Sequence, residues 1–168
     1  MNMIPEKIST RFRIGIIGPG SICVTYGNAL KASDTVSLAC ICGRDTEKGR
    51  KTAERFQVPY YTDQEQMYRN EALDGVLICT PTYTHEEMVR RALARRVPVM
   101  CEKPLALDAE TARRLVAEAA DADVPFMAVS YTHLDVYKRQ SQDPAGKPCA
   151  VRCSGSFGPG KEIGRAHV

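Results

Sequence analysis

RFRIGIIGPGSICVTYGNALKAS, residues 11–33, joins a short apolar run to a longer amphipathic one through a glycine-rich turn. The run RFRIGIIG is a short apolar burst that ends at a glycine, as a buried parallel strand does. The segment after it has helical spacing, and the predicted buried face of this helix carries Ile22, Tyr26, Ala29 and Leu30. A strand, a turn and a helix in this order predict the first part of a β-α-β unit.

The same alternation of apolar bursts and amphipathic segments continues to about residue 129. Further strands are predicted in TVSLACICG (35–43), VPYY (58–61), DGVLICTP (74–81), VPVMCEKP (97–104) and VPFMAV (124–129). Helices are predicted at 46–56, at 63–70 with Asp63 as N-cap, at 86–96, and after the N-cap Asp108 with a stripe of Ala112, Leu115, Val116 and Ala119. Such repeats predict a doubly wound α/β domain, with helices on both faces of a parallel sheet.

The bulk composition excludes several classes of protein. A chain of 168 residues with 43% hydrophobic and 26% charged residues is a globular domain, or one domain plus a fragment. Its net charge of +3 is too small and dispersed for a nucleic-acid binder, and Arg90, Arg91, Arg95 and Arg96 are interpreted as a solvated helix face. No apolar run approaches the roughly 20 residues that span a bilayer, and residues 1–10 lack the apolar stretch of a secretion signal.

The seven cysteines are odd in number, and most of them lie inside apolar runs. We interpret four of them as small core residues of a protein in a reducing, cytoplasmic compartment: Cys40, Cys42, Cys79 and Cys101. The C-x-C pair at 40–42 and the C-x3-C pair at 149–153 lack further ligands at zinc spacing. No metal site is predicted.

The first motif with chemical content is Gly18-x-Gly20, placed between the first strand and the first helix. Gly18 permits a tight turn, and Gly20 lets the main chain approach a pyrophosphate that sits on the helix N-terminus. Cys23 stands where the third glycine of this fingerprint is expected, and it is small enough to allow close helix–strand packing. The turn predicts dinucleotide binding.

The end of the second strand bears on which dinucleotide binds. Gly43 stands where an acid is expected to bind the ribose 2′-hydroxyl, and Arg44 follows it. A missing carboxylate and a present guanidinium favour the 2′-phosphate of NADP(H) over NAD(H). Two alternatives stay open: Asp45 supplies the acid, or Asp45 caps a helix that begins at Thr46.

Two further motifs follow the fourth and fifth predicted strands, where loops at the carboxyl ends of parallel strands face the ligand crevice. In CTPTYTH, Thr80 can donate to a cofactor and Pro81 stops the strand, whereas His85 is structural or catalytic with equal weight. In CEKPLAL, Lys103 can anchor the nicotinamide amide or a substrate hydroxyl, unless it is a solvated lysine on a surface loop that Pro104 stiffens.

GIIGPGSI, DGVLICTPTYTH and CEKPLAL, in this order and spacing, resemble the N-terminal domain of the Gfo/Idh/MocA oxidoreductases over about residues 11–129. The resemblance implies a Rossmann-type fold, an NAD(P) cofactor, a sugar, cyclitol or related polyol as substrate, and a homo-oligomer. By the same resemblance Lys103 is the catalytic residue and contacts both nicotinamide and substrate. The residues that would line the cofactor are Gly18, Gly20, Ser21, Ile22, Arg44, Thr80, Pro81, His85, Glu102 and Lys103.

Family members continue into an α+β domain that completes the site, and we expect this domain to be missing from a chain of 168 residues. We therefore expect a fragment without turnover. Two alternatives from other classes remain: a non-catalytic nucleotide-sensing regulator with the same fold, and a dehydrogenase or reductase of another Rossmann family.

VSYTHLDVYKRQ, residues 129–140, contains acid–base residue types, but its codons can be written as an inverted DNA repeat that an Ala128 codon completes. This repeat resembles a transposon-end sequencing adapter joined head to head, and EIGRAHV, residues 162–168, can be encoded by a ligation adapter. We therefore expect an N-terminal extension at 1–10, a dinucleotide-binding domain at 11–128 and a non-native or chimeric, poorly ordered tail at 129–168.

Overall fold

A computed structural model of the chain describes residues 11–44 and 46–129. The strands of this part are β1 Phe12–Ile17, β2 Val36–Cys42, β3 Tyr60–Tyr61, β4 Gly75–Ile78, β5 Val99–Cys101 and β6 Phe126–Ala128. Its α-helices are α1 Ser21–Lys31, α2 Glu47–Phe56, α3 Gln64–Asn70, α4 His85–Leu93 and α5 Ala109–Asp121, and a 3-10 turn at Thr82–Thr84 precedes α4. The N-terminal extension, Asp45 and the tail from residue 130, with the adapter interpretation, lie outside the described residues.

All six strands are parallel and lie in the order β3-β2-β1-β4-β5-β6. The chain moves outward from β1 to β3, returns to the other side of β1, and then moves outward again through β5 to β6. The predicted doubly wound parallel sheet is confirmed. Its topological switch point lies between β1 and β4, where such sheets bind ligands beyond the carboxyl ends of the strands.

Helices cover both faces of the sheet, because side chains on alternate strand positions are buried in two separate cores. Ile16 and Ile41 pack with Leu30 of α1 and Phe56 of α2. On the other face, the core contains the neighbouring strand positions together with residues of α3, α4 and α5, among them Ile17, Ile78, Met67, Val89 and Leu115. Burial on both faces is the reason that the strands appear in the sequence as continuous apolar runs.

The predicted buried face of α1 is partly wrong. Ala29 is exposed, and the buried residues of α1 are Cys23, Gly27 and Leu30. A Cβ on Gly27 would lie 2.5 Å from Cζ of Phe56 on α2, so the ring occupies the space above the glycine. Close packing against the small residues Cys23 and Gly27 determines which face of α1 is buried. The positions of the large apolar side chains therefore predict this face incorrectly.

Other helix predictions hold in part. The predicted apolar stripe of α5 is wrong at Val116, which is 48% exposed, whereas Leu115 and Ala119 are buried. The helix predicted at 86–96 ends at Leu93, because Arg96 adopts a left-handed φ of 56° and the N–H of Val97 returns to the carbonyl of Ala92. Helix ends of this kind usually carry glycine, so an arginine at position 96 is no signal for the end of a helix.

Three of the described helices have a side-chain N-cap. Asp63 caps α3 and Asp108 caps α5, as predicted. Thr46 caps α2 by accepting from the N–H of Gly49 at 3.1 Å. The helix that was predicted to begin at Thr46 begins at Glu47, and both interpretations of Asp45 concern a residue outside the described ones.

The arginine cluster near α4 is a solvated face, as predicted. Arg90 binds Glu86 of its own helix and Glu118 of α5, and Arg91 binds Glu87. The glutamates one helical turn before Arg90 and Arg91 thus compensate the positive charge of these two arginines. None of the described helices combines the length and the apolar character that a membrane span requires.

The described cysteines are unpaired thiols of the core. Cys23, Cys40, Cys42 and Cys101 are buried and Cys79 is half-buried, which confirms them as small apolar residues. Burial raises the pKa of the Cys23 thiol to about 11, because the thiolate would lose its hydration. Burial likewise raises the pKa of the other four thiols to about 12.

These raised pKa values predict slow alkylation. A thiol with a raised pKa is protonated at pH 8, so we expect iodoacetamide to modify these five cysteines on the order of a thousandfold more slowly than in the unfolded chain. The rate should rise about tenfold for each pH unit, since the thiolate is the nucleophile. Peptide mapping by mass spectrometry measures each site. Alkylation of Cys79 at the unfolded rate would contradict its burial.

Candidate dinucleotide-binding site

Main-chain hydrogen bonds hold four strand ends side by side at the carboxyl edge of the sheet. The N–H of Gly18 donates to the carbonyl of Cys42 at 2.8 Å, and the N–H of Cys79 donates to that of Ile17 at 2.7 Å. The N–H of Glu102 donates to the carbonyl of Ile78 at 2.9 Å. The loops after β1, β2, β4 and β5 therefore begin next to each other. All ten predicted site residues lie in these loops or at the start of the helices that follow them.

Gly18 is the residue on which the turn after β1 depends. Its φ is +107°, a value that L side chains rarely adopt. A Cβ on Gly18 would lie 2.7 Å from the carbonyl carbon of Cys79 and 2.8 Å from the nitrogen of Thr80. The turn after β1 and the end of β4 are thus in main-chain contact across the switch point.

Gly20 has a different surrounding, although it belongs to the same motif. A Cβ placed on it would meet nothing within 4 Å, so the space above Gly20 is open. Gly20 is also the N-cap of α1 and carries no capping side chain, and the first turn of α1 holds no acidic residue. Free N–H groups at the positive end of a helix attract an anion. Ser21, exposed, and Ile22, half-buried, are the first residues of this helix.

The loop after β2 is shaped by packing against the glycine-rich turn. A Cβ on Gly43 would lie 2.3 Å from Cδ of Pro19, so this position has a steric reason to be glycine. The hydroxyl of Tyr60 donates to the carbonyl of Arg44 at 2.6 Å and fixes the main chain there, while the Arg44 side chain is exposed. Gly43 thus has a packing reason to lack a side chain, and the exposed guanidinium of Arg44 lies just past the end of β2.

The loop after β4 is held by a small network of hydrogen bonds. The Thr84 hydroxyl lies 2.7 Å from Oγ1 of Thr80 and 2.8 Å from the carbonyl oxygen of Pro81. Thr80 is half-buried and Pro81 is exposed. The side chain of Thr80 therefore lies at the crevice edge and is already bound to its own loop.

His85, the first residue of α4, is 1% exposed. Its Nε2 lies 2.8 Å from the carbonyl oxygen of Thr80, and its Nδ1 lies 3.0 Å from that of Pro104. Each ring nitrogen thus faces a main-chain acceptor, one in each of the two loops. Of the two interpretations of His85 that the sequence left open, the geometry favours the structural one.

Glu102 is also held inside the protein. It is 9% exposed, and its Oε1 accepts a hydrogen bond from the hydroxyl of Tyr26 on α1 at 2.7 Å. Its Oε2 accepts from the N–H of Lys103 at 3.1 Å. Both carboxylate oxygens are therefore occupied by protein donors.

Lys103 follows Glu102, and its side chain is exposed at the same edge. Its peptide bond to Pro104 is cis. The glycine turn after β1, the Thr80 loop and the Lys103 loop adjoin one another through the main-chain bonds described above. The start of α1 and the Lys103 loop thus lie two strands apart along the same edge of the sheet.

Sequence reasoning missed four residues that shape this site. Tyr26 was expected on the apolar face of α1, but its hydroxyl binds Glu102, 76 positions further along the chain. Tyr60, Pro19 and Gly27 act by close packing, for which no pattern in the sequence gave a signal. Among the described residues, no group of three or more His, Cys, Asp or Glu side chains could hold a metal ion.

A parallel doubly wound sheet with an open glycine turn at its switch point defines a dinucleotide-binding type of domain. The model of the Gfo/Idh/MocA family, an oxidoreductase family with an NAD-binding Rossmann fold, matches residues 12–130. The chain belongs to this family, and the resemblance found in its motifs is confirmed.

Two curated relatives and one solved structure illustrate the similarity. Myo-inositol 2-dehydrogenase of Thermotoga maritima is 34% identical over 113 residues, which are 67% of this chain and 34% of the relative. 2,7-Anhydro-N-acetylneuraminate hydratase of Mediterraneibacter gnavus is 31% identical over 113 residues, which are 67% of this chain and 30% of the relative.

The solved structure is an oxidoreductase from Agrobacterium radiobacter in complex with NAD+, L-tartaric acid and magnesium. It is 26% identical to this chain and superposes with a TM-score of 0.72 over 79% of this chain and 40% of its own. The chain thus spans about a third of the length of the curated relatives named above.

The two glycines of the turn should respond differently to alanine. Gly18→Ala should destabilise the fold by about 1–3 kcal/mol or more, because it adds strain at positive φ and a clash with Cys79. Gly20→Ala should cost less than about 1 kcal/mol in stability, but weaken NADH or NADPH binding at least about tenfold by filling the open space. Urea unfolding and fluorescence titration measure these effects. Unchanged dinucleotide affinity in Gly20→Ala would contradict the placement of the pyrophosphate.

Proposed function

We propose that this chain binds a nicotinamide dinucleotide across the carboxyl edge of its sheet, with the pyrophosphate at the N-terminus of α1. The observation that carries the proposal is the open space above Gly20 beside a helix start without a side-chain cap. The membership of the chain in a family with an NAD-binding Rossmann fold supports it. The main chain of Gly20, Ser21 and Ile22 would supply the N–H donors.

We further propose that the protein is an oxidoreductase that acts on a sugar, cyclitol or related polyol, with Lys103 at the reacting carbon. The dinucleotide, when bound, supplies the hydride acceptor or donor. Lys103 would hydrogen-bond the substrate oxygen. As the neutral amine it would take the hydroxyl proton when the substrate is oxidised, and as the ammonium it would return that proton when the carbonyl is reduced. The Thermotoga maritima relative, which is named for myo-inositol, supports this substrate class.

The remaining site residues have more indirect parts in this proposal. Thr80 and Pro81 would form the wall of the crevice beside the nicotinamide, since the loop after β4 adjoins the glycine turn. Glu102 and His85 would act through the loops that they hold, because their polar atoms are bound to protein. A cytoplasmic homo-oligomer remains a prediction from the sequence.

Dinucleotide binding can be tested on the chain itself, and the role of Lys103 in a chimera. In this chimera, residues 11–129 replace the matching domain of the Thermotoga maritima relative. The chimera is needed because the chain matches only 34% of that protein, and the relative supplies the remainder. Lys103→Met should leave the affinity for NADH within about threefold, but lower kcat for myo-inositol by about 10²–10⁴-fold, since it removes the group that transfers the proton. Lys31→Met, at the far end of α1, is the control. Full turnover in Lys103→Met would refute the catalytic role.

Arg44 tests the choice of cofactor. We propose a preference for NADP(H), because the exposed guanidinium after β2 can form charge-assisted hydrogen bonds with a 2′-phosphate. Arg44→Ala should weaken NADPH binding by about 10–100-fold, equivalent to about 1.5–3 kcal/mol, and leave NADH binding nearly unchanged. Arg113→Ala, on α5 at the other face of the sheet, is the matched control. Tighter binding of NADH than of NADPH by the unchanged chain would overturn the preference.

A further inference from the structure

We propose that Tyr26 and His85 are positioning residues that hold the Lys103 loop from opposite faces of the sheet and thereby set the location of the lysine amine. The importance of that location rests on the function proposed above. The two contacts themselves rest only on the geometry of the described residues.

On the α1 face, the contact runs from a helix to the main chain of the lysine. The Tyr26 hydroxyl donates to Oε1 of Glu102 at 2.7 Å, and Oε2 of the same carboxylate accepts from the N–H of Lys103 at 3.1 Å. Tyr26 packs with the core between α1 and the sheet. A nearly buried carboxylate thus connects the pyrophosphate-binding helix to the peptide nitrogen of Lys103.

On the α4 face, the contact reaches the residue that follows the lysine. His85 is 1% exposed, and its ring lies between the carbonyl oxygens of Pro104 and Thr80, at 3.0 and 2.8 Å. The imidazole ring therefore lies between the loop after β5 and the loop after β4, and its N–H donates to the carbonyl oxygen that the tautomer selects. Its helix belongs to the core on the opposite side of the sheet from α1.

The two contacts flank a single residue. Glu102 precedes Lys103 and is held by Tyr26, whereas Pro104 follows Lys103 and is held by His85. The lysine side chain has four rotatable bonds, so its reach is defined only if its main chain is fixed. A displacement of about 1 Å in a reacting group can lower the rate of a reaction about 100-fold.

The dependence on Tyr26 has a matched control within the chain. Tyr61 also donates to a carboxylate, Oε1 of Glu71 at 2.9 Å, but on the β3 side of the sheet. Tyr26→Phe and Tyr61→Phe each remove one hydroxyl from a tyrosine–glutamate pair. Only the first of these pairs touches the Lys103 loop.

The test uses NMR on the 168-residue chain, wild type and variant. Hydrogen exchange of the Lys103 amide reports the bond to Glu102 directly, and a nuclear Overhauser effect from the Lys103 ε-methylene to the nicotinamide ring of bound NADH reports the lysine position. We expect Tyr26→Phe to accelerate exchange of this amide at least about tenfold and to weaken the Overhauser effect. Tyr61→Phe should change neither.

His85 is tested by a conservative and a non-conservative variant. His85→Leu should weaken the Overhauser effect, whereas His85→Asn, whose amide can donate to one of the carbonyls, should restore part of it. A structural role alone would lower the unfolding midpoint of both variants without this rescue. An Overhauser effect and amide exchange equal to wild type in Tyr26→Phe and His85→Leu would overturn the proposal.

The two proposals fail in distinguishable ways. If the wild-type chain binds no NADH, or its Lys103 gives no Overhauser effect to the nicotinamide, the proposed function fails, while amide exchange still decides whether Tyr26 holds the loop. If Tyr26→Phe leaves exchange of the Lys103 amide unchanged, the positioning role fails, and the catalytic role of Lys103 stands on its own test.

Discussion

The contact between the turn after β1 and the end of β4 is the constraint on which the rest of the site depends. Gly18 brings its Cα so close to Cys79 and Thr80 that a single additional carbon would lie 2.7 Å from their main chain. The chain can pass through this point only with a positive φ and without a side chain. Because the two strands meet here, the helix that follows β1 begins beside the loop that follows β4.

Two hydrophobic cores keep this contact in register. The strands are buried on both faces, so neighbouring positions such as Ile16 and Ile17 anchor the same strand in different cores. A one-residue slip would move every strand side chain to the wrong face. The rigid sheet can therefore carry several short loops whose relative placement is fixed by the strand ends rather than by the loops themselves.

The polar chemistry is concentrated where these loops adjoin, and most of it is internal. Glu102 and His85 are held by protein groups, whereas Gly20 and Lys103 are the two features through which we propose that the site binds its ligand. One is an open helix N-terminus and the other an exposed amine. The proposed binding and reacting groups are thus distinct from the groups that hold the loops in place.

The amino-acid sequence was enough to predict the six strands, the doubly wound parallel order, the family and the edge of the sheet at which the candidate site residues lie, because hydrophobic period, glycines and loop motifs are local signals. It placed Ala29 and Val116 on the wrong side of their helices and extended α4 to Arg96, because burial depends on which neighbour packs closest. That Tyr26 reaches Glu102 and that His85 lies between two loops became visible only in the folded structure. These contacts join residues that lie 76 and 19 positions apart in the sequence. The packing of α1 and α4 on opposite faces of one sheet brings them together.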